Sequence, residues 1–556
     1  MNPSSRPNQG LQRRTFLRGA ALTASAVALG SPVLTACGGG GSAEGAAGES
    51  VPLPDYVPAL RVKPDLVGNA DGLEDAFLTP ITEYYKSVKD KPGSGGSTSL
   101  FLASYNPPPP ALSKNAWWQE ANKRSGTDLK IEIVPGSDFP AKFGSVMAGN
   151  DIPDLVQIPL FMNLPRLPRL LSSRFADLSD QLSGENVRDY PNLAGIPTFA
   201  WRNARVKGRI YGVPLARPVF GGTLQYREDI LAELGVDSAP TSAAEFEALC
   251  KEITDPRKQR WALGSASVNT FSLDFFLQMF GVPRMWGQGR DGELVRDYET
   301  DAYAEAVNYV RKLVAKGYFH PDTTSTNDSQ LKELFVSGET VMHATSLSAW
   351  KAYYDVYQDS NPKLKVSAMV PFGHDGGKGV QYLDNGAFSI MAIKKGETKR
   401  TEELLRILNY FAAPYGSEEA LLRSQGIEGV HFERDNKGAP VQTKRGQAEY
   451  ATNLVYICTG APVIAGEERP EWGKAQYEWE QKVTPLGLAN PATGMYSETA
   501  GEKDAQLTQT MKDTLTGVIS GRDPVSKFTT QVKAWRTGGG DRIREELQAA
   551  IAADKT

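Results

Sequence analysis

Residues 206–253 read VKGRIYGVPLARPVFGGTLQYREDILAELGVDSAPTSAAEFEALCKEI, and this stretch decides how the chain is divided. Lys207 and Gly208 are turn residues between Val206 and the pair Ile210 and Tyr211, so the stretch opens as a short hairpin. Pro214 and Pro218 each lack a donor and fix φ, which predicts that strand pairing stops there. Gly221 and Gly222 give the backbone freedom before a new strand over 223–226. A short helix follows and ends at Gly235. Ser242 and Glu245 then form a capping box for a second helix, with Phe246, Leu249, Cys250 and Ile253 at i, i+3, i+4 and i+7 on its inner face. A strand, a Pro/Gly crossing and a fresh strand–helix unit carry a chain out of one α/β lobe into another.

The flanks fit this division. Upstream, the strand STSLFLASY begins at Ser97 and runs into Asn106 and four prolines. A helix over 113–125 stops at Gly126, followed by the strand LKIEIV, a helix over 141–148, the turn GNDIPD and the apolar strand LVQIP. Strand–helix–strand–helix–strand with short turns predicts a parallel, doubly wound sheet. Downstream, a periodic helix over 301–316 closes at Gly317. LKELFVSGETVMHATSLSAW reads as helix, strand, tight turn and helix, and NGAFSIMAI (385–393) as a strand returning to the first lobe before a helix over 402–412. Residues 51–97, rich in Pro and Gly at both ends, read as a surface extension with a short helix over 81–89, and the chain beyond 501 is mostly helical by period.

The first residues are an address. Arg13 and Arg14 open a twin-arginine n-region, and the run 19–34 is too short for a stable membrane span. Leu34, Thr35, Ala36 and Cys37 match a lipobox, which makes Cys37 the acylated mature N-terminus, and a Gly/Ser-rich tether follows. Removing residues 1–36 takes away four arginines and no acids, so the net charge moves from −4 to −8. The 556 residues are enough for roughly two to four domains. No basic tract with interleaved aromatics points to nucleic acid. Three cysteines make no disulfide framework. Cys250 and Cys458 lie in apolar surroundings, as two buried thiols, with a bridge between them left open.

Motifs for covalent chemistry fail on context. Gly287, Gly289 and Gly292 have the dinucleotide-fingerprint spacing, but a strand-like run follows where a helix is required, so a hairpin turn is the better reading. FGHDGGK (372–378) lacks P-loop spacing. His320, His343, His374 and His431 are scattered, which argues against zinc. There is no calcium loop and no nucleophile elbow. Asp151 and Asp154 read as turn and cap residues rather than an acid–base pair.

Several fragments, taken in order and spacing, resemble extracellular solute-binding proteins of sugar-type ABC importers, in their long oligosaccharide-type lipoprotein subgroup. They are GRIYGVP, YREDILAELG, APTSAAEF, GNDIPD, FVSGETVM with its following Trp350, RSQGIEGVHFE and WRTGGGDRIREEL. The resemblance covers roughly residues 98–550. It implies a two-lobed α/β periplasmic-binding-protein-like fold of type II, each lobe a doubly wound sheet flanked by helices, with a hinge between. The layout is then a signal peptide (1–36), a lipid-anchored linker and extension (37–97), lobe 1 (98–213), lobe 2 (214–377), a return to lobe 1 (378–435) and mostly lobe-2 helices (436–556). It further implies a monomer without cofactor or catalysis, tethered to the membrane, that hands a carbohydrate to permease subunits.

Sugars are held by stacking an aromatic ring on their C–H face and by planar polar groups at the hydroxyl rim. Strand C-termini of a doubly wound sheet form the crevice. The candidates there are Tyr105, Asn106, Gln157, Tyr211, Arg217, Phe271, Trp286, Ser346, Trp350 and Asn385. Trp117, Trp118, Trp201 and Trp535 read as packing residues, whereas the resemblance places Trp350 in the cleft. Hinges are expected at 211–218 and 372–385. Two other readings stay open: a cell-surface glycoside hydrolase, and a binding protein for a peptide, polyol or organic anion, the last favoured by Arg217.

Overall fold

A computed structural model describes residues 50–554 except Ala70, Asn106, Pro107, Asn150, Asn163, Pro165, Asp237 and Asp359. The signal peptide, Arg13, Arg14 and Cys37 lie outside the described residues. Two sheets organise the chain. The first contains β1 (Ser97–Ser104), β2 (Asp128–Pro135), β3 (Leu155–Pro159) and β4 (Val213–Ala216). The second contains β5 (Gly222–Arg227), β6 (Trp261–Gly264), β7 (Thr340–Ser346) and β8 (Val366–Ala368), after which β9 (Ala387–Ile393) rejoins the first.

In the first sheet the strand order is β2-β1-β3-β9-β4. β1 is parallel to β2 and β3, as the helices between them require. The returning β9 is antiparallel to both β3 and β4, with Ile390 opposite Ile158 and Pro214. The second sheet runs β8-β5-β7-β6, with only β7 and β6 parallel. Each lobe has its own apolar core. Phe101, Leu155, Ile158 and Ile390 sit in the first, and Phe246, Phe276, Val307 and Val341 in the second.

The deciding stretch folds largely as its residues dictate. Lys207 (φ 50) and Gly208 (φ 76) make the turn between Arg205–Val206 and Arg209–Ile210. Ser242 accepts a hydrogen bond from Glu245 N, and Ala243–Ile253 buries Phe246, Leu249, Cys250 and Ile253. The Glu245 carboxylate turns back to Thr241 N and Oγ1. Gly287 to Gly292 lie in a hairpin between Trp286–Gln288 and Leu294–Arg296.

Three expectations are corrected. Pro214 does not end pairing; it lies within β4, because β4 is the edge strand of its sheet and an edge tolerates a missing donor. The crossing therefore falls later, at 217–221. It runs beside the return segment, with Arg217 N bonded to Gly386 O and Asp384 N to Val219 O. The helix over 81–89 does not form. The Ser87 and Val88 N–H groups instead donate to the Glu419 carboxylate, which gives them partners a helix would otherwise have to supply. Finally, Leu454, Ile457 and Cys458, in the segment expected to be mostly lobe-2 helices, pack into the core of the first lobe.

The extension over 50–96 is a ribbon that touches both lobes. Val51 N and Val57 N bond to Gly208 O and Ala194 O in lobe 1. The strand Asp75–Phe77 then pairs with Val463–Ala465, and Ala76 enters a third core with Phe220, Trp350, Tyr353, Trp472 and Trp479. Ser94 returns to lobe 1 through Glu403. Where the ribbon crosses, Glu74 and Glu480 are buried together. Glu480 accepts bonds from Glu74 N (3.1 Å) and Gln476 Nε2 (2.9 Å). Burial, reinforced at Glu74 by the neighbouring Glu480, pushes both carboxyls above their usual range.

Candidate functional site

Two adjoining cavities form one cleft. The larger, about 820 Å³, is cut into the second lobe. Its walls include the strand ends at Gly222 and Thr223 and at Ala344 to Ser346, the segment around Asn269 to Gln278, and the long helix Glu498–Ile519 through Thr508 and Met511. The smaller, about 720 Å³, lies between lobes, with Phe161, Arg217 and Phe388 on one side and Met285, Trp286 and Trp535 on the other. Arg284, Arg296, Asp384 and Thr508 line both.

The second-lobe chamber is polar and strained. Thr270, Phe271 and Ser272 are successive non-glycine residues with positive φ (44, 60 and 57), and Met285 (φ 58) repeats this on the neighbouring wall. Such backbone costs of order 1–3 kcal/mol per residue and persists only where its surroundings over-determine it. Here Ser272 does so: its N–H donates to Ser265 Oγ, its hydroxyl to Gly264 O, and Ala344 N donates to Ser272 Oγ. On the chamber floor, Thr223 Oγ1 and His343 Nδ1 are buried without a hydrogen-bond partner. Burial pushes the His343 imidazole down to about 3, so it is neutral, with Nε2 2.9 Å from Tyr353 OH.

The two arginines of the chamber are paired, while Lys332 and Lys512 also line it. Arg284 bonds to Asp384. Arg296 bonds to Asp297 (3.2 Å) and lies over the rings of Tyr298 (4.7 Å) and Trp286 (5.5 Å). Burial lifts Asp297 to about 6 against the opposing pull of Arg296, and burial likewise raises Asp274.

The first-lobe wall is aromatic. Phe161 and Phe388 are 5.1 Å apart, Phe388 and Tyr456 5.4 Å, and Tyr105 meets Phe388 edge-on at 5.8 Å. Tyr105 and Phe161 are 49% and 57% exposed, unusual for large rings in a folded chain. Arg217 lies over Phe388 (5.5 Å) and Tyr456 (5.9 Å).

Of the sequence candidates, the structure brings Tyr105, Arg217, Trp286, Ser346 and Asn385 to the cleft or its rim. Asn106 lies outside the described residues. Four others are corrected in position. Gln157 is buried in β3, where Oε1 accepts from Ala103 N and Nε2 donates to Ser389 Oγ, so it cross-links strands. Tyr211 packs in the first core. The Phe271 ring turns away from its strained backbone to meet Phe319 edge-on in the second core. Trp350 is 1% exposed, and its indole N–H donates to Val366 O at 2.8 Å. The helix Ser348–Tyr357 starts just after β7, which turns Trp350 and Tyr353 towards the third core and Ser348 and Ala352 towards the cleft. Phe161, Arg284, Arg296, Asp384, Phe388 and Tyr456 were missed. Phe161 carried a signal, since it follows the end of β3, where strand C-termini open onto a crevice.

Trp117, Trp118, Trp201 and Trp535 are buried. Among the described residues, no group of His, Cys, Asp and Glu has the arrangement of a metal site, and no helix is long and apolar enough to cross a membrane.

Comparison with known proteins agrees with this architecture. The chain is 25% identical over 481 residues to the polygalacturonan/rhamnogalacturonan-binding protein YtcQ of Bacillus subtilis, covering 84% of this chain and 93% of the relative. It is 20% identical over 487 residues to lipoprotein LipO of the same organism, covering 83% and 94%. The N-glycan transport solute-binding protein of Streptococcus pneumoniae superposes with a TM-score of 0.61 at 14% identity, over 83% of this chain and 99% of that one, and shares the two-lobed fold. The family model described as bacterial extracellular solute-binding protein matches residues 116–418, more than half of the sequence. With two α/β lobes enclosing a polar cleft, the chain belongs to the bacterial extracellular solute-binding proteins.

Proposed function

We propose that this protein captures an oligosaccharide in the interlobe cleft and presents it to an ABC permease, without transforming it. The observation that carries this reading is the exposed aromatic wall of Tyr105, Phe161 and Phe388, facing across the cleft from a chamber rich in hydrogen-bonding groups. One surface suits the C–H face of a sugar and the other its hydroxyl rim. The names of YtcQ and of the pneumococcal structure, both glycan-binding, support the same ligand class. A ligand touching both lobes favours the closed state by the contacts it adds there, and a permease reads that shift. The protein acts as a monomer held by a lipid on Cys37 after export directed by Arg13 and Arg14. The naming of LipO as a lipoprotein supports the anchor.

The test is calorimetric titration of the mature protein with a panel of oligosaccharides, repeated with Phe161→Ala. Since Phe161 is exposed, the variant keeps its ligand-free melting point. It loses affinity by about tenfold, the sum of stacking and buried ring area. A protein that binds no oligosaccharide, or one that releases reducing ends from the bound glycan, would refute the reading. For the anchor, Cys37→Ala releases the protein from the membrane; retention there would contradict it.

A further inference from the structure

The charges along the cleft are not evenly shared. Arg284 is neutralised by Asp384, and Arg296 by Asp297. Arg217 has no such partner among the described residues, although it is only partly exposed. Its guanidinium is held by two aromatic faces, which supply attraction but no hydrogen-bond acceptor in the guanidinium plane. Arg166, exposed and in the left-handed region (φ 58), lines the same cavity from the same lobe, likewise without an ion pair among the described residues. The other acids of that cavity, Glu498 and Asp504, stand on the long helix of the second lobe. The first-lobe wall is therefore locally cationic within a chain whose net charge is negative.

We infer that the first-lobe wall is a carboxylate-recognising subsite, and that the saccharide captured carries a uronic acid beside Phe161 and Phe388. The inference rests on the oligosaccharide reading above and narrows it. Stacking on Phe388 and Tyr456 limits the freedom of the Arg217 side chain and leaves its fork of donors for a planar acceptor. A carboxylate accepts two parallel bonds from that fork, whereas a neutral hydroxyl accepts one weaker bond. A partly buried cation without a counter-ion is also costly in the empty cleft, and an anionic ligand relieves that cost while a neutral one deepens it. Arg166, more exposed, adds long-range attraction that salt screens.

The test uses mature protein and matched sets of oligosaccharides: oligomers of galacturonate, mannuronate and glucuronate, their methyl esters, and neutral oligomers of equal length. Affinities are measured by titration calorimetry at low and high salt. At least one uronate set is expected to bind ten times or more tighter than its ester. Arg217→Gln should reduce that preference to threefold or less, with the acid losing several times more affinity than its ester. Arg217→Lys, which keeps charge but not the fork, should recover only part of the preference. Esters or neutral oligomers binding as tightly as the acids would overturn the carboxylate subsite and leave the oligosaccharide reading standing. An acid preference that survives Arg217→Gln would also overturn it. Failure of every saccharide, acidic or neutral, would overturn both.

Discussion

Replacing Trp350 with alanine separates two roles that the same residue could play. In the structure the indole is 1% exposed, packed with Phe220, Tyr353, Val366 and Trp479 in the third core. Removing a large aromatic from such a place costs about 3–5 kcal/mol. The lost hydrogen bond to the Val366 carbonyl contributes only about 0.5–1.5 kcal/mol of this, because Tyr354 OH, 2.9 Å away, still serves that oxygen. At about 2–4 °C per kcal/mol for a lobe of this size, Trp350→Ala should lower the ligand-free melting point by about 6–20 °C. Trp350→Phe keeps most of the ring and should fall by only a few degrees. The assay is a pair of melting curves for each variant, with and without saturating oligosaccharide. The ligand-induced shift should survive in both variants. A Trp350→Ala protein that melts within about 2 °C of the parent but no longer responds to ligand would show that the indole faces the cleft after all.

Three further outcomes follow from burial and charge. Glu74 and Glu480 have raised carboxyls, so the folded state holds protons that the unfolded chain releases above its ordinary carboxylate range; stability falls as pH rises, by up to about 1.4 kcal/mol per unit for each proton held. Glu74→Gln should flatten the decline of melting temperature between pH 5 and 8, and an unchanged slope would mean the pair is not the source. Cys250 and Cys458 are buried, their thiols raised by burial, Cys458 to about 12, so neither should react with a maleimide in the native protein, and both should react in denaturant. Gly221→Ala would place a Cβ 1.4 Å from Asp384 Oδ2, forcing that carboxylate off Arg284, and should weaken ligand binding far more than it lowers the melting point.

Local signals in the sequence were reliable where one element decides its own shape. The helix over 243–253 announced its cap and its buried face, and the hairpin at Lys207 and Gly208 announced its turn. What was not legible depends on neighbours far along the chain. Pro214 reads as a strand breaker until β4 is known to be an edge, which only the return of β9 establishes. Trp350 was misplaced because the phase of a helix relative to its sheet is set by the packing of the third core, to which Leu364, Val366, Ile464, Trp472 and Trp479 come from beyond residue 360. The aromatic wall draws on positions 105, 161, 388 and 456. No window of sequence contains that set, and each ring alone looks like ordinary packing.

The ribbon over 50–96 changes what counts as the smallest working unit of this protein. The region matched by the family begins only at residue 116, and an economical design would start there or at β1. Such a truncation would strip Ala76 from the third core with Trp472 and Trp479, remove Phe77 from its contact with Tyr415, and deprive Glu480 of the Glu74 N–H that it accepts. It would also cut a link that fastens one lobe to the other outside the crossing segments, like a leaf spring laid across a door hinge. If ligand capture closes the lobes as proposed above, their resting angle and the work of changing it belong partly to a segment that lines neither cavity.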